Sequence, residues 1–334
     1  MLPIGGATSD LGNIIMMERW NVPHRAAEGD DEVMRVADPQ RFQVPVDGGE
    51  LAVWRWGRDG PVVLAAHGIT ASHRAWAAVA AAAADELTIV APDLRGRGDS
   101  AAVADGTGME RHAWDLAAVL DHIGAAEAVV AGHSMGGFVA AAFANLFPQR
   151  TRGVVLIDGG PALSEPLPPD ADVDAVLGQV IGPALDRLGR RFASQDEYRR
   201  FWHEHPAFRV GGVDPALVDA YADHDLGDSD GELRSKVSAD AVRGDARDTL
   251  TSDAVHAAVG RLQVPAVLLL AERGMLDDET PLYPPALVDG LHTAQDPLEV
   301  IRVPDTNHYT IAMGEAGALA IAHQLRRFAH PEGS

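Results

Sequence analysis

Six short, almost uninterrupted apolar runs recur along this chain of 334 residues: Val62–Ala66, Thr88–Ala91, Ala128–Ala131, Val154–Ile157, Ala266–Leu270 and Glu299–Val303. A strand with one face in water alternates apolar and polar residues, whereas runs without that alternation belong to strands covered on both faces, as in a parallel sheet. The stretches between them carry helical spacing. Arg74–Ala84 and Gly136–Phe147 read as helices, the second stopped by Pro148, and Ala318, Ile321, Ala322, Leu325 and Phe328 form one apolar stripe on a last helix over 315–328. Ahead of the first run, Phe42, Val44 and Val46 alternate with polar residues, and Asp47-Gly48-Gly49 turns the chain into Leu51, Val53 and Trp54, a hairpin pattern. Strand alternating with helix predicts the α/β class, with a doubly wound, mostly parallel sheet.

One interval breaks the alternation. Between the run ending near Asp158 and the run starting near Val264 lies a Pro-rich stretch, Pro161–Asp170. Helical patterns follow over Val173–Leu188, Gln195–Glu204 and Pro215–Tyr221, with Phe201, Trp202, Phe208 and Tyr221 among the apolar residues. A structureless loop of that length does not suit a compact domain. Residues 161–261 are therefore expected to form a helical cap inserted into a core made of 41–160 and 262–334. Residues 1–40, weakly patterned, are expected to form an arm on the body or on a second subunit, so a homodimer is one possible assembly.

Composition excludes several classes. There is no cysteine, hence no disulfide, thiolate metal site or Cys nucleophile. A formal charge of −22 with a single lysine, Lys236, argues against nucleic acid, whose phosphates need clustered cations. No apolar run approaches the ~20 residues needed to span a bilayer. The opening MLPIGGATSD lacks the basic start and long apolar stretch of a secretory signal. A cytoplasmic protein without a membrane partner is the expectation.

The chemistry is concentrated in Ala128-Val129-Val130-Ala131-Gly132-His133-Ser134-Met135-Gly136-Gly137. A G-x-S-x-G directly after a buried strand and directly before a helix is the pattern of a serine forced out above a sheet on a tight turn. Bulky residues at 132 or 136 would meet neighbouring backbone in such a bend. The helix that starts at the serine also favours developing negative charge there. The plainer alternative is a Gly turn whose serine only caps the helix. His133, inside the motif, reads as a packed or hydrogen-bonded histidine. Upstream, Val62–Ala66 leads into His67-Gly68-Ile69-Thr70, where a strand end can supply a second backbone donor. The N–H groups of Met135 and Ile69 are the candidate oxyanion hole, with Gly68 letting backbone approach the substrate.

The runs HGIT at 67–70, APDLRGRGDS at 91–100, AGHSMGG at 131–137 and NHYT at 307–310 together resemble the α/β-hydrolase superfamily, over residues 41–160 and 262–330. The resemblance implies a serine hydrolase, a loop near the pocket shaped by DLRGRGDS with Asp93 and Arg95 structural, and the chain order serine, acid, histidine. Among 14 histidines, His308 is selected as base because it follows the last strand, in a loop that this fold returns to the serine. His203 and His205 are expected at the surface or pocket of the cap, and His112, His122, His256 and His323 are ordinary helical residues.

The acid is left between candidates. Relatives place it after the strand that follows the cap, but that position here holds Gly274, with Asp277 and Asp278 three and four residues late. Asp158 ends a buried strand at the catalytic edge and is favoured over Asp277, with Glu272 third. Some relatives, including zearalenone lactonases, resemble this second arrangement.

The expected reaction is therefore hydrolysis of a carboxylic ester or lactone, with a macrocyclic lactone as one substrate, through an acyl-enzyme on Ser134. The ligand is an apolar small molecule; no cofactor and no metal is required, since no pair of histidines has convincing zinc spacing. Two rivals remain: a carbon–carbon bond hydrolase or lyase on the same triad, and a small-ligand receptor without turnover.

Overall fold

The computed structural model of the chain describes residues 39–331, apart from 230, 290 and 295–297. The arm expected over 1–40 lies outside the described residues except at its end, where Gln40 already opens the first strand. The strands are β1 (Gln40–Val46), β2 (Gly49–Trp56), β3 (Val62–Ala66), β4 (Thr88–Pro92), β5 (Ala128–His133), β6 (Thr151–Ile157), β7 (Leu226–Ser229), β8 (Glu232–Ser235), β9 (Ala266–Ala271) and β10 (Glu299–Val303). Eight of them form one sheet in the order β1-β2-β4-β3-β5-β6-β9-β10. β2 runs antiparallel to β1 and β4; the other neighbours are parallel.

The winding of this sheet decides where chemistry can occur. From β3 the chain moves out to β4 on one side and returns to β5 on the other, so the direction of winding reverses between β3 and β5. Open α/β sheets bind ligands above the carboxyl ends of strands at such a switch point. Register fixes what meets there: Ala66 pairs with Gly132, and His133 with Ile157. The residues that follow β3, β5 and β6 (His67, Ser134 and Asp158) therefore emerge side by side.

Both faces of the sheet are covered, as the lack of alternation required. Leu64, Val130, Leu156 and Leu268 pack against helices Met109–His122 and Met135–Leu146, through Leu116, Val139 and Phe143. Their strand neighbours Val63, Val129, Val155 and Leu269 point the other way, onto Val79 of helix Ala77–Ala83 and onto Ile321 and Leu325 of helix Glu315–Ala329. Full burial of a side chain of this size contributes roughly 1.5–3 kcal/mol, which fixes the register of every strand to its apolar pattern.

Between β6 and β9 the chain forms helices Val173–Gly189, Gln195–His203, Pro206–Arg209, Pro215–Asp225, Ala239–Thr251 and Asp253–His256. The segment is not purely helical. β7 and β8 form an antiparallel hairpin, closed where Asp228 accepts from the Gly231 amide at 2.8 Å. Its sequence, largely Gly, Ser and charged residues, lacks the apolar alternation that would mark a strand. Two apolar clusters belong to the segment: Phe192, Tyr198, Trp202, Phe208 and Tyr221 in one, Leu177, Ile181, Val242 and Ala246 in the other. The first reaches Ala75, Ala312 and Met313 of the sheet-bearing part. Among the described residues, no helix is long and apolar enough to cross a membrane.

Candidate active site

Ser134 sits between β5 and helix Met135–Leu146 with φ 55° and ψ −123°. That conformation is costly for a residue with a Cβ and persists only where the surroundings enforce it. Two hydrogen bonds do so: the Ser134 amide donates to Ile157 O (2.9 Å) and Ser134 O accepts from the Gly137 amide (2.9 Å). The neighbouring glycines are obligatory for contact reasons. A Cβ on Gly132 would lie 1.9 Å from Gly136 O, and one on Gly136 would lie 2.0 Å from Ala66 O. Gly159, after Asp158, is a third: its Cβ would stand 2.0 Å from Ser134 O.

Asp158 is also a non-glycine residue at positive φ, 43°. The bend turns its buried carboxylate back across the strand ends, where Oδ2 meets His308 Nδ1 at 2.7 Å and Oδ1 accepts from the Ala271 amide at 3.2 Å. A carboxylate has no proton to give, so the hydrogen between them sits on His308 Nδ1, and Nε2 is the nitrogen that can exchange a proton elsewhere. His308 and Ser134 line the same narrow cleft, together with Gly68, Ile69, Thr70, Ile181, Tyr221 and Met275.

On the other flank, a Cβ built on Gly68 would lie 3.2 Å from Ser134 Cβ and 3.6 Å from its Oγ, so the end of β3 abuts the serine. Gly68–Ala71 is a tight turn, with the Ala71 amide donating to Gly68 O at 3.1 Å. His67 reinforces it: Nδ1 donates to Gly68 O (2.8 Å) while Nε2 accepts from the Leu94 amide (2.9 Å). Burial lowers the His67 pKa to about 3, so the ring stays neutral and keeps this tautomer. Carbonyl and N–H of one peptide point in opposite directions. Locking Gly68 O therefore also sets the direction of the Ile69 N–H.

The other residues singled out in the sequence lie elsewhere. Asp277 pairs with Arg273 (2.9 Å) and accepts from Asn307 Nδ2 (3.2 Å), so it braces the residue before His308 without reaching the ring. Glu272 accepts from the Asp305 amide (3.0 Å). His133 donates from Nε2 to His308 O at 2.7 Å; burial, then the nearby His308, lower its pKa to about 3. A ring that weakly basic is poorly matched to base catalysis near neutral pH. His205 is buried in the inserted segment against Trp202 and Tyr309.

Two clusters escaped the sequence reading. Asp93, His73 and His224 bring possible metal ligands within 4.8 Å of one another. The Asp93 oxygens, however, are already saturated: Oδ1 accepts from the amide (2.8 Å) and Nδ1 (2.9 Å) of His73, and Oδ2 from the Asp99 amide (2.8 Å) and His224 Nε2 (2.7 Å). The cluster is a closed hydrogen-bonded knot. The second comprises buried Arg97 with Asp245 and Arg187 with Asp225, pairs far apart in sequence and invisible to spacing.

A protein-family profile described as alpha/beta hydrolase fold matches residues 61–311. Lipase LipV of Mycobacterium tuberculosis (strain ATCC 25618 / H37Rv) is 35% identical over 178 residues, covering 53% of this chain and 62% of its own. The bifunctional esterase/perhydrolase DCH of Acinetobacter calcoaceticus is 32% identical over 164 residues, covering 48% and 56%. The chain thus spans 62% or less of these two relatives. Among solved structures, E-2-(acetamidomethylene)succinate hydrolase superposes with a TM-score of 0.68 at 21% identity, covering 87% of this chain and 98% of its own, a likeness of fold.

Proposed function

Given that this chain belongs to the α/β-hydrolase fold family, we propose that it is a serine hydrolase of carboxylic esters, open-chain or internal, working through an acyl-enzyme on Ser134. One observation carries the reading: His308 is held by buried Asp158 at 2.7 Å while its ring lines the cleft that Ser134 also lines. Similarity to a lipase and an esterase supports the same chemistry.

In the proposed cycle His308 Nε2 accepts the Ser134 hydroxyl proton as Oγ bonds to the ester carbonyl carbon. The negative oxygen is received by the Met135 and Ile69 amides, donors that do not need to reorganise as charge develops. His308 then gives its proton to the leaving alkoxide. Water, deprotonated by the same nitrogen, attacks the acyl-enzyme; the acid leaves and Ser134 regains its proton. Asp158 remains ionised and orients the ring throughout. The inserted segment serves as the cap, contributing Ile181, Ala184 and Tyr221 to the cleft wall. That wall, largely apolar and close, favours an apolar ester of modest size over a macrocyclic lactone, which would require the cap to move.

The test is a fluorophosphonate probe with a panel of p-nitrophenyl esters and lactones. Stoichiometric labelling, lost in Ser134→Ala along with at least about 10³-fold of kcat, is the expected result. Tight binding of an apolar ester with neither labelling nor turnover would replace the enzyme with a receptor.

A further inference from the structure

We propose that Arg97 is a positioning residue for the oxyanion-binding amides, held in place by Asp245 of the inserted segment; the proposal rests on the serine-hydrolase reading above. Arg97 has no exposed surface. Each nitrogen of its guanidinium has a partner: Nε donates to Ile69 O at 2.9 Å, Nη1 to Arg95 O at 2.7 Å and to Asp245 Oδ2 at 2.5 Å, and Nη2 lies 3.9 Å from Met135 Sδ. One planar group thus touches both residues whose amides would receive the oxyanion. Asp245, on helix Ala239–Thr251, is fixed in turn by the Gly108 amide (2.7 Å) and His112 Nε2 (3.0 Å). Burial alone would raise the Asp245 pKa, but His112 and Arg97 hold it well below its ordinary value, so the carboxylate stays ionised.

A second buried arginine grips the next carbonyl. Arg187 Nη2 donates to Thr70 O at 3.0 Å, and its Nη1 is held by Asp225 and Tyr198. Arg187 and Asp225 both belong to the inserted segment. The turn that presents the Ile69 amide is therefore clamped on two consecutive carbonyls, Ile69 O and Thr70 O, by guanidinium groups whose counter-charges come from the cap. Amides that stabilise a developing oxyanion act through prior orientation. Releasing the clamp is expected to weaken binding of the transition state more than that of the substrate.

The same loop supplies a matched control. Arg95 is also buried and ion-paired, with Asp115 at 2.5 Å, but the remaining hydrogen bonds of its side chain go to Asp47 O and Asp105 O and none to Ile69, Thr70 or Met135. Asp115→Asn reports the cost of a broken buried pair one step removed from the clamp, since Arg97 holds Arg95 by its backbone carbonyl and not by its side chain. Arg97→Lys keeps a charge beside Asp245, yet one ammonium cannot reproduce the fork that reaches Ile69 O, Arg95 O and Asp245 together. The double variant Arg97→Met with Asp245→Asn removes both charges, so no carboxylate is stranded.

The experiment measures kcat and KM on a p-nitrophenyl ester, per site titrated with fluorophosphonate, and the inhibition constant of a trifluoromethyl ketone, which forms a hemiketal oxyanion on the serine. Thermal unfolding is followed alongside. We expect both Arg97 variants to lose about 10–100-fold in kcat with KM within about threefold, and ketone affinity to fall in proportion. Asp115→Asn should lose stability but keep kcat and ketone affinity within about threefold. Arg97 variants that keep kcat and ketone affinity, or that differ from Asp115→Asn only in stability, overturn the proposal. A wild-type protein that neither reacts with fluorophosphonate nor hydrolyses any ester removes the serine-hydrolase reading itself, and this proposal with it.

Discussion

Two of the buried histidine–carboxylate clusters among the described residues are built from the same chemistry and differ in what surrounds them. At the end of β6, Asp158 holds Nδ1 of His308, whose ring borders the cleft. At the end of β4, Asp93 holds Nδ1 of His73, but that ring lies flat on Trp54, centroids 3.5 Å apart and planes 5° apart, and its Nε2 is buried without a hydrogen-bond partner. His224 closes the remaining side edge-on, at 4.4 Å. Burial lowers the His73 pKa to about 4 even though Asp93 opposes the shift. An aligned carboxylate therefore does not by itself make a catalytic histidine; the second nitrogen must reach a space where a substrate can sit. In the knot, the same pair instead ties His224 of the inserted segment to the loop after β4.

The largest test of this contrast is Asp158→Asn. Losing the acceptor at Nδ1 should drop kcat by about 10²–10⁴-fold while leaving the fold intact, as measured per labelled site. Retained activity would mean that alignment by Asp158 is dispensable, and the two clusters would not differ in kind.

The pH dependence of stability comes next. His67, His133 and His73 are all buried with pKa values lowered to about 3, 3 and 4 from an ordinary 6.5. Above pH 6.5 both folded and unfolded chains keep them neutral, and stability is full. As pH falls below 6.5 the unfolded chain takes up protons that the folded chain refuses, so stability declines by about 1.4 kcal/mol per pH unit for each such histidine until the folded values are reached. Urea midpoints should fall clearly from pH 7.5 to pH 5. A flat profile would mean that these rings take up protons in the folded chain as readily as in the unfolded one.

Asp93→Asn should be smaller and of the opposite character to Asp158→Asn. The amide places a donor where four N–H groups converge, costing about 1–3 kcal/mol of stability, with kcat of the folded enzyme within about threefold. Smallest is Asp277→Asn: its amide oxygen can still accept from Asn307, and the part-exposed pair with Arg273 contributes less than about 1 kcal/mol. A loss of kcat comparable with that of Asp158→Asn would transfer the acid role to Asp277.

Much of the sheet was legible because burial writes itself into composition: β3 and β10 occupy the residues their apolar runs mark, and β4, β5, β6 and β9 extend those runs by a few residues. The turn at Ser134 was legible for a related reason, since Gly132 and Gly136 are each demanded by a local backbone contact. The β7–β8 hairpin was not, because a short, half-exposed ribbon closed by Asp228 and Gly231 leaves no apolar period. Arg97, Arg187, Asp225 and Asp245 were equally silent. Nothing in their local spacing signals that Arg97 and Asp245, separated by 148 residues, meet in a dry interior.

Local sequence determined the strands of the main sheet, the helices that cover it and the bend that exposes Ser134, because these depend on side-chain period and on contacts within a few residues. Which carboxylate reaches His308, and which buried charges grip the turn after β3, was decided only by tertiary structure. Strand order sets β6 beside β5, and the positive φ at Asp158 turns its carboxylate back over the sheet edge. A charge placed among apolar residues is tolerable only where distant segments deliver its partner.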